Sequence, residues 1–488
     1  MKIVRWIIAP LCCLLSLVCC GNGNDGGSDT GRQPALDLKI YSWNGTYATF
    51  EAQTLNATHV RALCLASGAA APTAAEVCER GTRYTGTRFT VEGLEPRTSY
   101  VLYAVACDDA GACGSVQQVS FTAEYTDPQP YAWESARTGI LSYTDLVLCY
   151  GGSTHRTPFA WKAERFAPMV SYTDPEGKEH WLFDSFLCIE FQMGSYSINL
   201  GQHLDSGKRE QWEELLDYWF GNSATGVGAL EAAVAAAAER LGTPSEKRKV
   251  VMVMPDPIIY EYYDGTKPST TYWGEVNGRE MDFSKAADRI TAYKWYINEV
   301  RRHFDEAGYK YIELAGFYIV SEDLATPGDG WNPELKRWEE VIPSVAEYLH
   351  ALNESLAWIP YNRAAGYTRW EEMGIDYAYM QPNIFWGKDL ETKTWSRFFS
   401  DVKANDLAME LEFDDAVLEK TSGCEAYRTR LREYMSGARS NGIYGTKPLA
   451  YYQGQDTFYN LATSSAAGDR AIFDELCQFV LNNPLRKQ

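Results

Sequence analysis

Three glutamates stand where paired carboxylates can do chemistry. Glu322 ends the run Gly316-Phe317-Tyr318-Ile319-Val320-Ser321, and Glu410 and Glu412 alternate through Ala408-Met409-Glu410-Leu411-Glu412-Phe413. Glycosidic cleavage needs one carboxylic acid to protonate the leaving oxygen and a second carboxylate to attack the anomeric carbon or activate a water. Glu322 is the expected general acid/base and Glu412 the nucleophile. Glu410 shares the parity of Glu412, so both can face one side of a strand, and its like charge would tune its neighbour's pKa. Any single glutamate at a strand end is more often solvated or salt-bridged than catalytic, so the weight lies on the joint placement. Other apolar runs also end in polar groups: Glu190, Asp256, Tyr361 with Asn362, Gln381 with Asn383, Asp414 and Gln453. Carboxylates, amides and phenols of this kind hold sugar hydroxyls, whereas a phosphate site would use Gly, Lys and Arg. Trp273, Trp331 and Trp386 fall in loops after strands, where an indole can stack on a sugar ring or pack the loop itself.

The elements that must position these groups alternate. Eight short apolar runs are expected as strands: 145–151, 183–191, 249–256, 311–321, 356–362, 377–383, 406–414 and 447–456. Between several of them lie amphipathic helical patterns at 211–220, 228–241, 286–306, 334–352 and 424–441. Eight β/α alternations predict an α/β fold, a (β/α)8 TIM barrel over 124–488, whose active site would lie at the C-terminal ends of the strands. The alternative is an open doubly wound sheet, but neither G-x-G-x-x-G after the first strand nor a phosphate-binding P-loop occurs.

Ahead of the barrel, Met1, Lys2 and Arg5 precede the apolar stretch 7–18, too short to span a bilayer comfortably, which is the secretory pattern. Leu17-Val18-Cys19-Cys20 resembles a lipobox with Cys20 as the acylated residue, and Gly/Asn/Asp-rich residues 21–36 read as a tether. An exported, lipid-anchored chain, facing outward from an outer membrane, follows as the expectation. Residues 37–123 alternate as short strands, and Leu94-Glu95-Pro96-Arg97-Thr98-Ser99-Tyr100 resembles the fibronectin type III signature with its tyrosine corner. That resemblance implies a small all-β sandwich acting as a spacer.

The net charge of −20 argues against nucleic acid as a partner, since that affinity rests on neutralising phosphates. An aromatic content of 14 %, with 15 Trp and 32 Tyr, tilts toward sugar rings. Twelve cysteines lack metal-ligand spacing, so no metal site is expected, and the proposed chemistry requires no cofactor. Local pairs Cys64 with Cys78 and Cys107 with Cys113 are expected, with Cys149 and Cys188 as buried thiols. A monomer is expected.

The strand-four and strand-seven glutamates resemble those of the large clan of retaining barrel glycosidases, which places the acid/base in Asn-Glu at strand four and the nucleophile at strand seven. Ser321 stands where that clan has Asn, which puts its usual hydrogen bond to the 2-hydroxyl in question. Residues 135–480 also resemble a Bacteroidetes family, domain of unknown function 4855. The matching segments are Tyr143-Thr144-Asp145, Leu182-Phe183-Asp184-Ser185-Phe186-Leu187, Gly316-Phe317-Tyr318 before Glu322, Trp358-Ile359-Pro360-Tyr361, Gln381-Pro382-Asn383 and Met409-Glu410-Leu411-Glu412-Phe413-Asp414. The resemblance implies a lipoprotein with a glycosidase-like barrel, of the kind found in surface polysaccharide-utilisation systems. A glycan-binding lipoprotein that captures polymer without cleaving it is the alternative.

Overall fold

The computed structural model describes residues 33–43, 47–95, 97–123, 128, 130–131, 133, 137–151, 159–199, 203–324, 338–387 and 393–486. Cys20, the apolar segment before it, most of the tether and Trp331 lie outside the described residues. The chain forms two compact units, Met1–Glu124 and Tyr125–Gln488.

In the first unit the strands are β1 (Ala35–Trp43), β2 (Tyr47–Leu55), β3 (His59–Ala66), β4 (Thr82–Tyr84), β5 (Arg88–Glu92), β6 (Ser99–Cys107) and β7 (Gln117–Thr122). They make two antiparallel sheets, ordered β1-β2-β5 and β4-β3-β6-β7. Period-two alternation puts Ala48, Phe50 and Ala52 of β2 inward, where Phe50 meets Phe89 and Phe121. The Tyr100 hydroxyl accepts the Glu95 N–H at 2.9 Å, the tyrosine corner expected from the sequence. Helix α1 (Ala74–Arg80), started by a Thr73/Glu76 capping box, packs Val77 with Tyr103, Val105 and Cys107 in a second apolar cluster.

This arrangement corrects the expected Cys64–Cys78 pair. Cys64 packs on the inner cluster with Ala62, whereas Cys78 belongs to the cluster with Val77, Tyr103 and Cys107. Successive residues of a strand face opposite ways, so strand parity separates the two thiols. Cys78 instead lies 2.6 Å from Cys113 and 3.6 Å from Cys107, Sγ to Sγ. Cys107 faces Cys113 across an isolated antiparallel bridge, so the local pair expected there is brought together, but as part of a trio of free thiols. These three are also the group among the described residues compact enough to hold a metal ion; ligands gathered from three elements leave no short sequence motif. Peptide mapping of protein purified under oxidising conditions should find any cross-link within this trio and Cys64 free to alkylate. A Cys64–Cys78 peptide would contradict the packing.

The second unit is an eight-stranded closed parallel barrel: β8 (Asp145–Tyr150), β9 (Ser185–Ile189), β10 (Arg248–Met254), β11 (Ile312–Ile319), β12 (Ser355–Trp358), β13 (Tyr377–Met380), β14 (Ala408–Glu412) and β15 (Leu449–Tyr452), in sequence order, with β15 returning to β8. Every residue of β8, β9, β10, β12 and β14 is buried, as expected for parallel strands covered on both faces. Helices α2 (Ala163–Val170), α3 (Arg209–Phe220), α4 (Gly226–Leu241), α5 (Ala286–Ala307), α6 (Trp338–Ala351), α7 (Trp395–Ala404), α8 (Cys424–Ser440), α9 (Thr457–Thr463) and α10 (Ala467–Leu481) lie between and after the strands. No helix among the described residues is long and apolar enough to cross a membrane.

Carboxylates pin the starts of the strands. Asp184 accepts the N–H groups of Thr144 and Asp145 at 2.8 and 2.9 Å. Glu231 takes those of Lys310, Tyr311 and Ile312, and Asp376 that of Leu356. At this end Asp145 is fully buried, receives the Tyr451 hydroxyl at 2.7 Å, and is pushed up to about 7, first by burial and then by Asp184. Its ordinary value is 3.8, so between about 4 and 7 the folded state holds a proton that the unfolded state has released. Stability from this group is therefore present at low pH and lost as pH rises through about 7. Asp145→Asn, which keeps the acceptor and removes the charge, should raise the melting temperature relative to wild type at pH 8 more than at pH 5. Equal differences at both pH values would show that Asp145 does not titrate in this way.

Candidate active site

The C-terminal ends of the barrel strands surround a cavity of about 190 Å³ that contains Glu322, Glu410 and Glu412. Each reaches it for a local reason. Glu322 follows β11, and Gln381 beyond β13 donates from Nε2 to its Oε1 at 3.1 Å. The same amide nitrogen lies 3.2 Å from the Ile359 carbonyl, which fixes its orientation. Glu410 and Glu412 sit two residues apart on β14, so strand parity turns both inward, and each is 2 % exposed. Glu412 receives the Tyr434 hydroxyl of α8 and the Asn383 N–H at 2.7 Å. Asn383 has φ 55°, a left-handed conformation that Asn tolerates better than most residues.

The walls are aromatic. Tyr150 and Tyr452 end β8 and β15, and they meet edge to face at 5.8 Å. Phe191 abuts Tyr150, and Trp386 abuts Tyr452, in the same manner. Trp386 is held by its Nε1, which donates to Asp414 at 2.8 Å. Asp414 therefore serves the site by fixing a wall, and its other oxygen caps the following turn at Ala416.

Of the residues expected at the site, Glu322, Gln381, Asn383, Trp386, Glu410 and Glu412 line the cavity. The others do not. Glu190 turns its carboxylate onto the N–H groups of Phe191 and Gln192. Gln453 is fully buried, donating to Leu148 O and accepting from Phe458 N, so it ties β15 to β8. Asp256 is buried near enough to Tyr293 and Tyr318 for its charge to act on both, and it does not line the cavity. The Tyr361 hydroxyl is 3.4 Å from Asp323 and the residue does not line the cavity, nor does Asn362, whose Oδ1 is buried. Trp273 is buried among Trp212, Phe283 and Trp295, a loop-packing residue rather than a sugar platform. Ser321 aims its hydroxyl at Asp323 O, away from the cavity. Tyr150, Phe191, Tyr318 and Tyr452 also line the cavity, but in the sequence they look like any other aromatic residues of the buried apolar runs. Tyr434, on a helix, carries no sequence signal for its contact with Glu412.

The sequence profile of Domain of unknown function (DUF4855) matches residues 145–478, more than half of the chain and the whole of the barrel through α10 as far as residue 478. The chain belongs to that family. No curated protein matches it. Among solved structures, a chitinase from Bacillus thuringiensis aligns at 15 % identity over 20 % of this chain and 14 % of its own, with a TM-score of 0.16. The fn3 domain of the human collagen alpha-1(XX) chain aligns at 15 % identity over 21 % of this chain and 98 % of its own, with a TM-score of 0.17. Neither alignment extends beyond about a fifth of the chain, so the chemistry of the DUF4855 barrel must be argued from its own residues.

Electrostatics separates the two β14 glutamates of this DUF4855 site. Burial raises Glu412 to about 7, against the opposing pull of the Tyr434 hydroxyl and the Asn383 N–H, with Glu322 adding to the rise. Glu410 is pushed well above its ordinary value by burial, then by Glu412 and Glu322. Glu412 is thus the group equipped to hold negative charge. Tyr434→Phe removes a donor to that charged form and should move the ionisation of Glu412 upward. A rate that requires ionised Glu412 rises with pH through about 7 in the wild type, and this limb should shift to higher pH in Tyr434→Phe. An unshifted limb would remove Tyr434 from the role of positioning and tuning Glu412.

Proposed function

We propose that the barrel is a glycoside hydrolase, with Glu322 as general acid/base and Glu412 as nucleophile in a retaining reaction. The observation that carries this reading is the presence of both carboxylates in one aromatic-walled cavity, each fixed by a different neighbour, Gln381 for Glu322 and Tyr434 with Asn383 for Glu412. Glu322 gives its proton to the departing oxygen while Glu412 bonds to the anomeric carbon; Glu322 then takes a proton from the water that releases the sugar. The aromatic residues of the lining suit the C–H faces of a sugar ring, and Asn383 brings an amide to the same cavity. We further infer that the N-terminal unit is a fibronectin type III-like spacer, and that acylated Cys20 tethers the chain to a membrane surface where polymers reach the barrel.

The test is a screen of the purified full-length chain against a polysaccharide panel, reading new reducing ends. Product anomers followed by NMR report retention directly. Binding of glycans without release of any reducing end would favour the alternative, a capture protein.

A further inference from the structure

The proposed mechanism engages two of the three glutamates and leaves Glu410 without a task. Its carboxyl lines the cavity and is 2 % exposed. Among the described residues no hydrogen bond reaches it, whereas Glu322 and Glu412 both receive donors. Two residues before Glu412 on the same strand, it lies about 6–7 Å further toward the barrel floor. A carboxyl so buried is costly in its charged form unless an opposite charge meets it. No described residue lining the cavity is Lys, Arg or His.

We propose that the sugar ring bound in this cavity carries a free amine, held as its ammonium by Glu410 and the surrounding aromatic rings. The inference rests on the glycosidase reading and names its substrate class: glycans containing unacetylated amino sugars. An ammonium supplies several donors and a full charge to a carboxylate, a charge-assisted contact roughly twice as strong as a neutral one. Tyr150, Phe191, Trp386 and Tyr452 line the same cavity, and aromatic rings attract a cation more strongly as a site is desolvated. Burial and two flanking carboxylates that disfavour the charge of Glu410 would be offset by the same cation. A hydroxyl or an N-acetyl group offers no charge. The cavity's 190 Å³ is below the roughly 300–1,000 Å³ of ordinary ligand pockets, which fits one ring.

The test is calorimetric binding of glucosamine and galactosamine, each against its neutral parent and its N-acetyl form, to the full-length wild-type chain and to Glu410→Gln. Wild type should bind an amino sugar at least tenfold more tightly than the neutral or N-acetyl sugar. In Glu410→Gln, close in shape, the preference should fall below twofold. Equal affinities in wild type, no binding of any of these sugars, or a preference that survives Glu410→Gln would each overturn the proposal. The wild-type comparison decides even if the variant folds poorly. Hydrolysis confined to neutral or N-acetylated polymers would sink this inference and leave the glycosidase reading intact. An amine preference that Glu410→Gln removes, without hydrolysis of chitosan or any other glycan, would support the amine site and sink the glycosidase reading.

Discussion

Glu412→Gln should lower glycan hydrolysis by about 10³-fold or more, equivalent to about 4 kcal/mol of lost transition-state stabilisation. The amide has the shape of the carboxylate but is far too weak a nucleophile to bond to the anomeric carbon. Tyr434 and Asn383 still find an amide oxygen to donate to, so the fold and binding should persist. Glu322→Gln has a different signature. It removes the proton delivered to the leaving group, so activity on an aryl glycoside whose phenol departs without help should fall much less than activity on a natural glycan. With Glu412→Ala, added azide should take the nucleophile's place and yield a glycosyl azide of inverted configuration. Comparable losses on both substrate types in Glu322→Gln, with no azide rescue in Glu412→Ala, would remove the assigned roles. Residual hydrolysis within tenfold of wild type in Glu412→Gln would exclude Glu412 as nucleophile.

What made this pair legible was periodicity. Eight apolar runs marked the strands to within a few residues, because parallel strands buried on both faces leave uninterrupted Val, Leu, Ile and Met. Their last residues pointed to Glu322, Glu412 and Gln381. Parity then placed Glu410 beside Glu412. Parity along a strand cannot show what happens beyond its end, and there the expectations diverged from the structure. Glu190 curls back onto its own loop, Tyr361 meets Asp323, and Gln453 is consumed by Leu148 and Phe458. Tyr434 supports Glu412 from α8, a contact set by how that helix packs on the barrel. The cysteine trio was hidden for the same reason, being assembled by sheet faces rather than by spacing.

Glu354→Ala should destabilise the barrel by about 3–5 kcal/mol, the usual consequence of leaving buried charges unpaired. Glu354 is fully buried between α6 and β12. Arg137 and Arg301 both donate to its Oε1, and both guanidinium groups lie near the ring of Trp133, 5.8 and 5.1 Å from its centroid. Removing the carboxylate takes away the counter-charge of two guanidinium groups, of which Arg137 keeps the Leu314 carbonyl. Urea unfolding should show the loss, with Glu354→Gln, which retains an acceptor, losing less; a change under about 1 kcal/mol in Glu354→Ala would mean that water reaches the arginines. Burial raises the ionisation of Glu354 much as it does that of Glu412. A perturbed buried glutamate is therefore not itself a mark of catalysis. The difference lies in the partners: Glu354 is neutralised by two arginines, whereas Glu412 shares an aromatic-walled cavity with two further carboxyls and, among the described residues, receives neutral donors. Glu354→Ala should accordingly be felt in stability, with kcat/KM per folded molecule near that of wild type, and Glu412→Gln in the opposite way.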